Sequence, residues 1–89
     1  MILTGRFKRG LKSAQKRGLD ISLLNDIVEK LLHKIPLDAK NRDHGLKGAW
    51  AGFRECHIQP DWLLIYLIRE DVLTLTLVDT GTHADLFDE

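Results

Sequence analysis

Three histidines and one aspartate stand out as groups able to do chemistry: His44, His57, His83 and Asp61, drawn from three separate segments of an 89-residue chain. Imidazole titrates near neutral pH and serves as either base or acid. Acting on RNA, one such group takes the proton from a ribose 2′-OH and a second protonates the departing 5′ oxygen, while cations or amide donors steady the phosphoryl charge. That reaction requires no metal and no cofactor. Metal ligation fits the pattern less well, because no two histidines show H-x3-H spacing and the single Cys56 has no second thiol nearby. The fourth histidine, His33, falls at the end of a predicted helix, where a surface cation meets the helix dipole favourably.

Strands must hold these groups. Residues 62–68 are apolar on both alternating faces, the pattern of a central strand covered on each side. In the preceding run Phe53, Glu55 and His57 share one face while Arg54, Cys56 and Ile58 share the other, with Gln59-Pro60 as the connection and Asp61 where the next strand begins. Cys56 and Trp62 read as core residues. Strands are predicted over 50–58, 61–68 and 72–78, forming an antiparallel meander in which Leu73, Leu75 and Leu77 share the buried face.

The helices precede the sheet. Met1 to Leu3 reads as a short edge strand, and from Thr4 a helical stripe of Phe7, Leu11 and Ala14 begins. Around that stripe lie Arg6, Lys8, Arg9, Lys12, Lys16 and Arg17, with no acid before Asp20. Such a face grips an RNA backbone or an acidic partner, or serves only as a solvated surface. Gly18 breaks the helix, Asp20 caps a second one running through Ile35, and Pro36 stops it. Residues 36–48 read as exposed loop. Near the end, Thr82 and Asp85 form a capping-box variant that predicts a short helical turn from His83, either a cradle for phosphate or a device packing Leu86 and Phe87 on the sheet. The fold class expected is α+β: an N-terminal helical hairpin packed on an antiparallel meander, closed by a short C-terminal helical turn, as one domain over 1–89.

Composition narrows the class of function. Net charge is zero, yet residues 1–54 hold twelve of the thirteen Lys and Arg against five acids, and residues 55–89 hold one against eight acids. Overall charge therefore says nothing about nucleic-acid binding, and a basic surface is available in the first half. There is no apolar h-region at the N-terminus and no run approaching the roughly 20 residues of a membrane span, so a cytoplasmic, non-membrane protein is expected. One unpaired cysteine suits a reducing compartment.

The runs Asp43-His44-Gly45-Leu46-Lys47-Gly48, Phe53 to Tyr66 with its H-x-x-P-D-W core, and Gly81-Thr82-His83-Ala84-Asp85-Leu86-Phe87 together resemble the YafQ branch of the RelE/ParE toxin superfamily. The basic first helix, with Ser13-Ala14-Gln15-Lys16-Arg17, and the order helix, helix, meander extend that resemblance over nearly the whole chain. It implies a RelE-like fold and a type II toxin, a ribosome-dependent endoribonuclease that cuts mRNA during translation and is silenced by a ribbon-helix-helix antitoxin, with operator DNA reached through the toxin-antitoxin complex. Carried over motif by motif, it implies a catalytic cluster of His44, His57, Asp61 and His83. The resemblance leaves base and acid unassigned; the assignment expected here is His83 as general acid, His44 or His57 as base, and Asp61 as the group that orients and favours an imidazolium. Phe87 supports the site, and Lys47 and Arg54 contact phosphate beside the helix cations Arg9, Lys12 and Lys16. Members of the wider superfamily often carry Arg just before the terminal G-T-H, where this chain has Asp79-Thr80. The alternative of the same fold is a non-catalytic binding module of the ParE kind, which inhibits a protein target such as DNA gyrase.

Overall fold

A computed structural model describes residues 1–87. Short strand β1 (Ile2–Leu3) leads into helices α1 (Gly5–Lys16) and α2 (Ile21–Leu32); β2 (His44–Gly45), β3 (Arg54–Gln59), β4 (Trp62–Arg69) and β5 (Thr74–Gly81) follow, and α3 (His83–Phe87) comes last. The sheet has five strands in the order β1-β5-β4-β3-β2. β3, β4 and β5 form the expected antiparallel meander, but β1 pairs with β5 in parallel, making the sheet mixed.

Local chemistry sets the helix ends. The Thr4 hydroxyl accepts the Phe7 N–H at 3.1 Å and donates to the Val78 carbonyl at 2.5 Å, so one side chain both caps α1 and ties it to β5. At the other end Gly18, with φ +76°, lets the Leu19 N–H reach the Ala14 carbonyl and the Gly18 N–H reach that of Gln15. α2 closes in the same way, three residues earlier than the sequence pattern suggested. Lys34 takes φ +56°, and the Ile35 and Lys34 N–H groups return to the Lys30 and Leu31 carbonyls, so the helix ends at Leu32 before Pro36 can act. His33 is consequently the exposed C-cap, with Nε2 3.2 Å from Glu29.

Other expected boundaries shift as well. The stretch read as loop contains β2, and single 3₁₀ turns occupy Gly48–Trp50 and Glu70–Val72, so β3 starts at Arg54 and β5 at Thr74. Leu73 does not join Leu75 and Leu77 inside. It has φ +49° at the end of a turn and lies 80 % exposed.

β4 separates two apolar layers. Trp62, Leu64 and Tyr66 pack with Cys56, Leu75 and Leu77 beneath Phe7, Ala14, Leu24 and Ile27 of the helices. Leu63 and Ile65 point the other way, into a smaller cluster with Leu86, Trp50, Phe53 and Phe87. Burial of both faces of a strand explains the unbroken apolar run that marks β4 in the sequence. α1 lies so close to β5 that a Cβ on Gly10 would stand 2.2 Å from the Thr80 carbonyl oxygen.

Candidate active site

The face of the sheet turned away from the two long helices carries the titratable groups. His57 and Glu55 alternate with Cys56 on β3, so they share this face with Leu63 and Ile65, their partners on β4. β2 pairs with β3 so that His44 stands opposite Glu55. Thr82 alone separates the end of β5 from the start of α3 at His83, and Asp61 belongs to the turn between β3 and β4.

These four residues come together, and a fifth joins them. His83 Nδ1 lies 2.7 Å from Asp61 Oδ1, and the His83 backbone N–H donates to the same oxygen at 3.1 Å. The two hydrogen bonds, the backbone one first, hold the Asp61 carboxyl below the usual carboxylate range. The His83 and His57 rings meet edge to face with centroids 5.5 Å apart. His57 Nε2 is 3.5 Å and His44 Nε2 is 3.7 Å from Oε1 of Glu55, which is almost wholly buried. The chain of contacts runs His44, Glu55, His57, His83, Asp61. Second partners fix two members further: His44 Nδ1 meets the Arg42 carbonyl at 2.7 Å, and the Asn41 amide donates to the His57 carbonyl at 2.8 Å.

Glu55 is the residue that sequence reasoning left out of the site. Its place on the His57 face was legible in the alternation, but a carboxylate on a strand face ordinarily looks to water. Only the pairing with the two-residue β2 buries it between two imidazoles.

The expected phosphate contacts divide. Arg54 projects from β3 on the face opposite His57, where Nη2 pairs with Asp43 at 3.2 Å and Nε donates to the Tyr66 hydroxyl at 3.3 Å; those two partners raise its already high pKa. It is a brace on the helix side of the sheet. Tyr66 donates to Asp43, and burial pushes its hydroxyl pKa up. Lys47 is exposed before the 3₁₀ turn that ends at Trp50, and Arg9, Lys12 and Lys16 are exposed on α1. Phe87 meets Trp50 edge to face at 6.3 Å, and Trp50 meets Phe53 likewise at 5.6 Å, forming an aromatic wall beside Leu86. Trp62 is core, its indole N–H donating to Thr80 Oγ1 at 3.0 Å. Cys56 is buried, which pushes its thiol up to about 12 and removes it from nucleophilic chemistry.

The arrangement offers two imidazoles on a buried carboxylate, one of them beside a third that an aspartate holds. A family model for the bacterial toxin of type II toxin-antitoxin systems, YafQ, matches residues 1–88. The chain belongs to the YafQ toxin family. The mRNA interferase toxin YafQ of Escherichia coli K12 is 40 % identical over 85 residues, covering 94 % of this chain and 90 % of that one. The metal-bound toxin of Helicobacter pylori superposes with a TM-score of 0.90 at 44 % identity, over 96 % of this chain and 94 % of that one. YafQ in the E. coli DinJ-YafQ toxin-antitoxin complex gives 0.87 at 39 % identity, over 97 % and 93 %. The α+β fold read from the sequence is thus the fold of solved YafQ toxins. Among the described residues no helix is long and apolar enough to cross a membrane.

Proposed function

We propose that this chain cleaves mRNA as an endoribonuclease, by attack of a ribose 2′-OH on the adjacent phosphate, on the translating ribosome in the cytoplasm. The observation that carries the proposal is the Asp61–His83 pair facing His57: an imidazole aligned by a carboxylate at 2.7 Å beside a second imidazole at 5.5 Å. Asp61 holds the ring through Nδ1 and leaves Nε2 for the substrate, which suits His83 to give a proton to the departing 5′ oxygen. His57 or His44, each against Glu55, takes the 2′-OH proton. No metal is needed for that exchange of protons. A cognate ribbon-helix-helix antitoxin restrains the activity, a reading that the E. coli relative's complex with DinJ supports, and the toxin-antitoxin complex formed by this chain is what meets operator DNA.

Primer extension on a reporter mRNA in a translating extract tests this. New 5′ ends inside the translated region, absent without ribosomes or with His83→Gln and unaffected by chelator, are the expected result. Intact mRNA with growth arrest by folded protein would move the function to binding of a protein target such as DNA gyrase.

A second reading rests on a separate observation. One ligand atom each from Glu55, His57 and His83 lies within 4.8 Å of the others, a carboxylate-and-imidazole set that suits a borderline transition metal, and the H. pylori relative is a metal-bound toxin. An ion held there would occupy the acid-base groups and inhibit. Cleavage suppressed by added Zn²⁺ and restored by chelator is the expected result; unchanged cleavage removes the reading.

A further inference from the structure

We propose that Arg6 is the cation presented to the reacting phosphodiester, aimed there by Asp79; this rests on the nuclease reading above. β5 contains a bulge: Ile65 of β4 stands opposite Asp79 and Tyr66 opposite Leu77, leaving Val78 unpaired. A bulge re-aims the side chains that follow it. In β5 it turns Asp79 to the side of its partner Ile65, the same face that carries Glu55, Ile65's partner on β3. Glu55 and Asp79 therefore stand two strand spacings apart on one row, about 10 Å.

Asp79 is 7 % exposed and requires a counter-charge. Arg6 supplies it from the first turn of α1. β1 pairs with β5 only at Thr76 and Leu77, and beyond that point the Arg6 side chain reaches Asp79, with Nη2 3.0 Å from Oδ2. Its guanidinium lies 5.5 Å from the Trp50 ring centroid, against the aromatic wall formed with Phe53 and Phe87. Two fixed contacts thus orient a side chain that remains 53 % exposed. A guanidinium carries five N–H donors, and this ion pair uses one edge, so the remaining donors can meet a phosphate oxygen. Arg6, Asp61 and Asp79 also line a single groove of about 310 Å³, continuing past Arg9 and Arg17 along α1. The groove therefore runs from the basic residues of α1 to Asp61, the partner of His83.

The test uses single-turnover cleavage on programmed ribosomes together with thermal melting. Arg6→Gln lowers the cleavage rate about 100-fold, the scale for removing one preorganised donor from developing charge. Arg6→Lys retains part of the rate, and Asp79→Asn loses about 10-fold because Arg6 is present but unaimed. Asp79→Asn adds little in the Arg6→Gln background, since both changes break one device. A purely structural ion pair would instead lower melting in both single variants and leave the rate of folded protein unmoved. Cleavage by folded Arg6→Gln within twofold of the unaltered protein overturns the proposal. Should the unaltered protein cut nothing, the nuclease reading fails on its own, and binding of a 2′-O-methyl RNA oligomer decides for Arg6. Arg6→Gln then weakens affinity about 10-fold and reduces the salt slope by about 1, whereas unchanged affinity and slope overturn the assignment.

Discussion

Asp61 Oδ1 receives two hydrogen bonds from one residue, the backbone N–H and the ring Nδ1 of His83, at 3.1 and 2.7 Å. A two-point grip of this kind fixes the ring's rotation and its tautomer together, leaving Nε2 for the substrate. Replacing Asp61 by Asn keeps the size and removes the charge. The expected result is a fall in single-turnover cleavage of about 100-fold, against about 1,000-fold for His83→Gln, with melting unchanged in both. Equal cleavage by Asp61→Asn and the unaltered protein would show that the carboxylate has no part in the chemistry.

Glu55 gives a second prediction. Glu55→Gln preserves shape but removes the charge shared by His44 and His57, and cleavage should fall at least about 10-fold. Arg54→Gln should leave the rate of folded protein unmoved, because Arg54 faces the other side of the sheet against Asp43 and Tyr66. A cleavage rate unchanged in folded Glu55→Gln would assign this carboxylate to packing alone.

The places of Glu55 and Arg54 are set by contacts across the sheet rather than along the strand. Alternation along β3 was legible and placed Glu55 with His57 and Arg54 opposite them. What alternation does not carry is the neighbour across the sheet. β2 is two residues long and lies in a polar stretch without strand periodicity, so nothing local announced that His44 would cover Glu55. Arg54 looked close to the histidines in sequence yet lies behind the sheet, whereas Arg6, far away in sequence, reaches their face through a bulge and a parallel pairing, both of which are tertiary events. By contrast β4, α1 and the turn at His83 were legible because burial on two faces, a Thr cap with a Gly stop, and a capping box are local signals. α2 ends three residues short of its apolar stripe because Lys34, not glycine, takes the left-handed position that closes it.

The anchoring of α3 should depend on acid. Asp85 accepts from Arg17 at 2.9 Å and from the Thr82 N–H at 3.0 Å, and these bonds, Arg17 foremost, lower its pKa from 3.8 to about 2. A carboxyl with a depressed folded-state pKa stabilises the fold fully above its ordinary value and loses that contribution as pH falls through the lower one. The start of α3 should thus hold above pH 3.8 and loosen as pH approaches about 2. Carboxylate NMR titration checks this directly. In Arg17→Gln the Asp85 midpoint should rise towards 3.8, and an unmoved midpoint would assign the depression to the Thr82 contacts alone.

Close approach of α1 to β5 makes Gly10 the most sensitive glycine. Because an added Cβ would stand 2.2 Å from the Thr80 carbonyl oxygen, Gly10→Ala must push the helix off the sheet. Overpacking of this kind costs about 1–3 kcal/mol, and each kcal/mol lowers Tm by about 4–8 °C in a domain of this size. Gly5→Ala, where the nearest atom is a flexible Arg9 nitrogen at 3.4 Å, should leave Tm nearly unchanged. Equal melting of the two variants would mean that α1 does not sit this close to β5.

The ends left on the cut RNA test the central claim most directly. Attack by the 2′-OH, with His83 protonating the 5′ oxygen, leaves a 2′,3′-cyclic phosphate or its hydrolysis product on one fragment and a 5′-hydroxyl on the other. Fragments cut by the unaltered protein should therefore be labelled by polynucleotide kinase without prior phosphatase treatment. Fragments carrying a 5′-phosphate and a 3′-hydroxyl would mean that water, not the ribose, attacks the phosphorus, and that His57 and His83 do not act as base and acid on the ribose and the leaving oxygen.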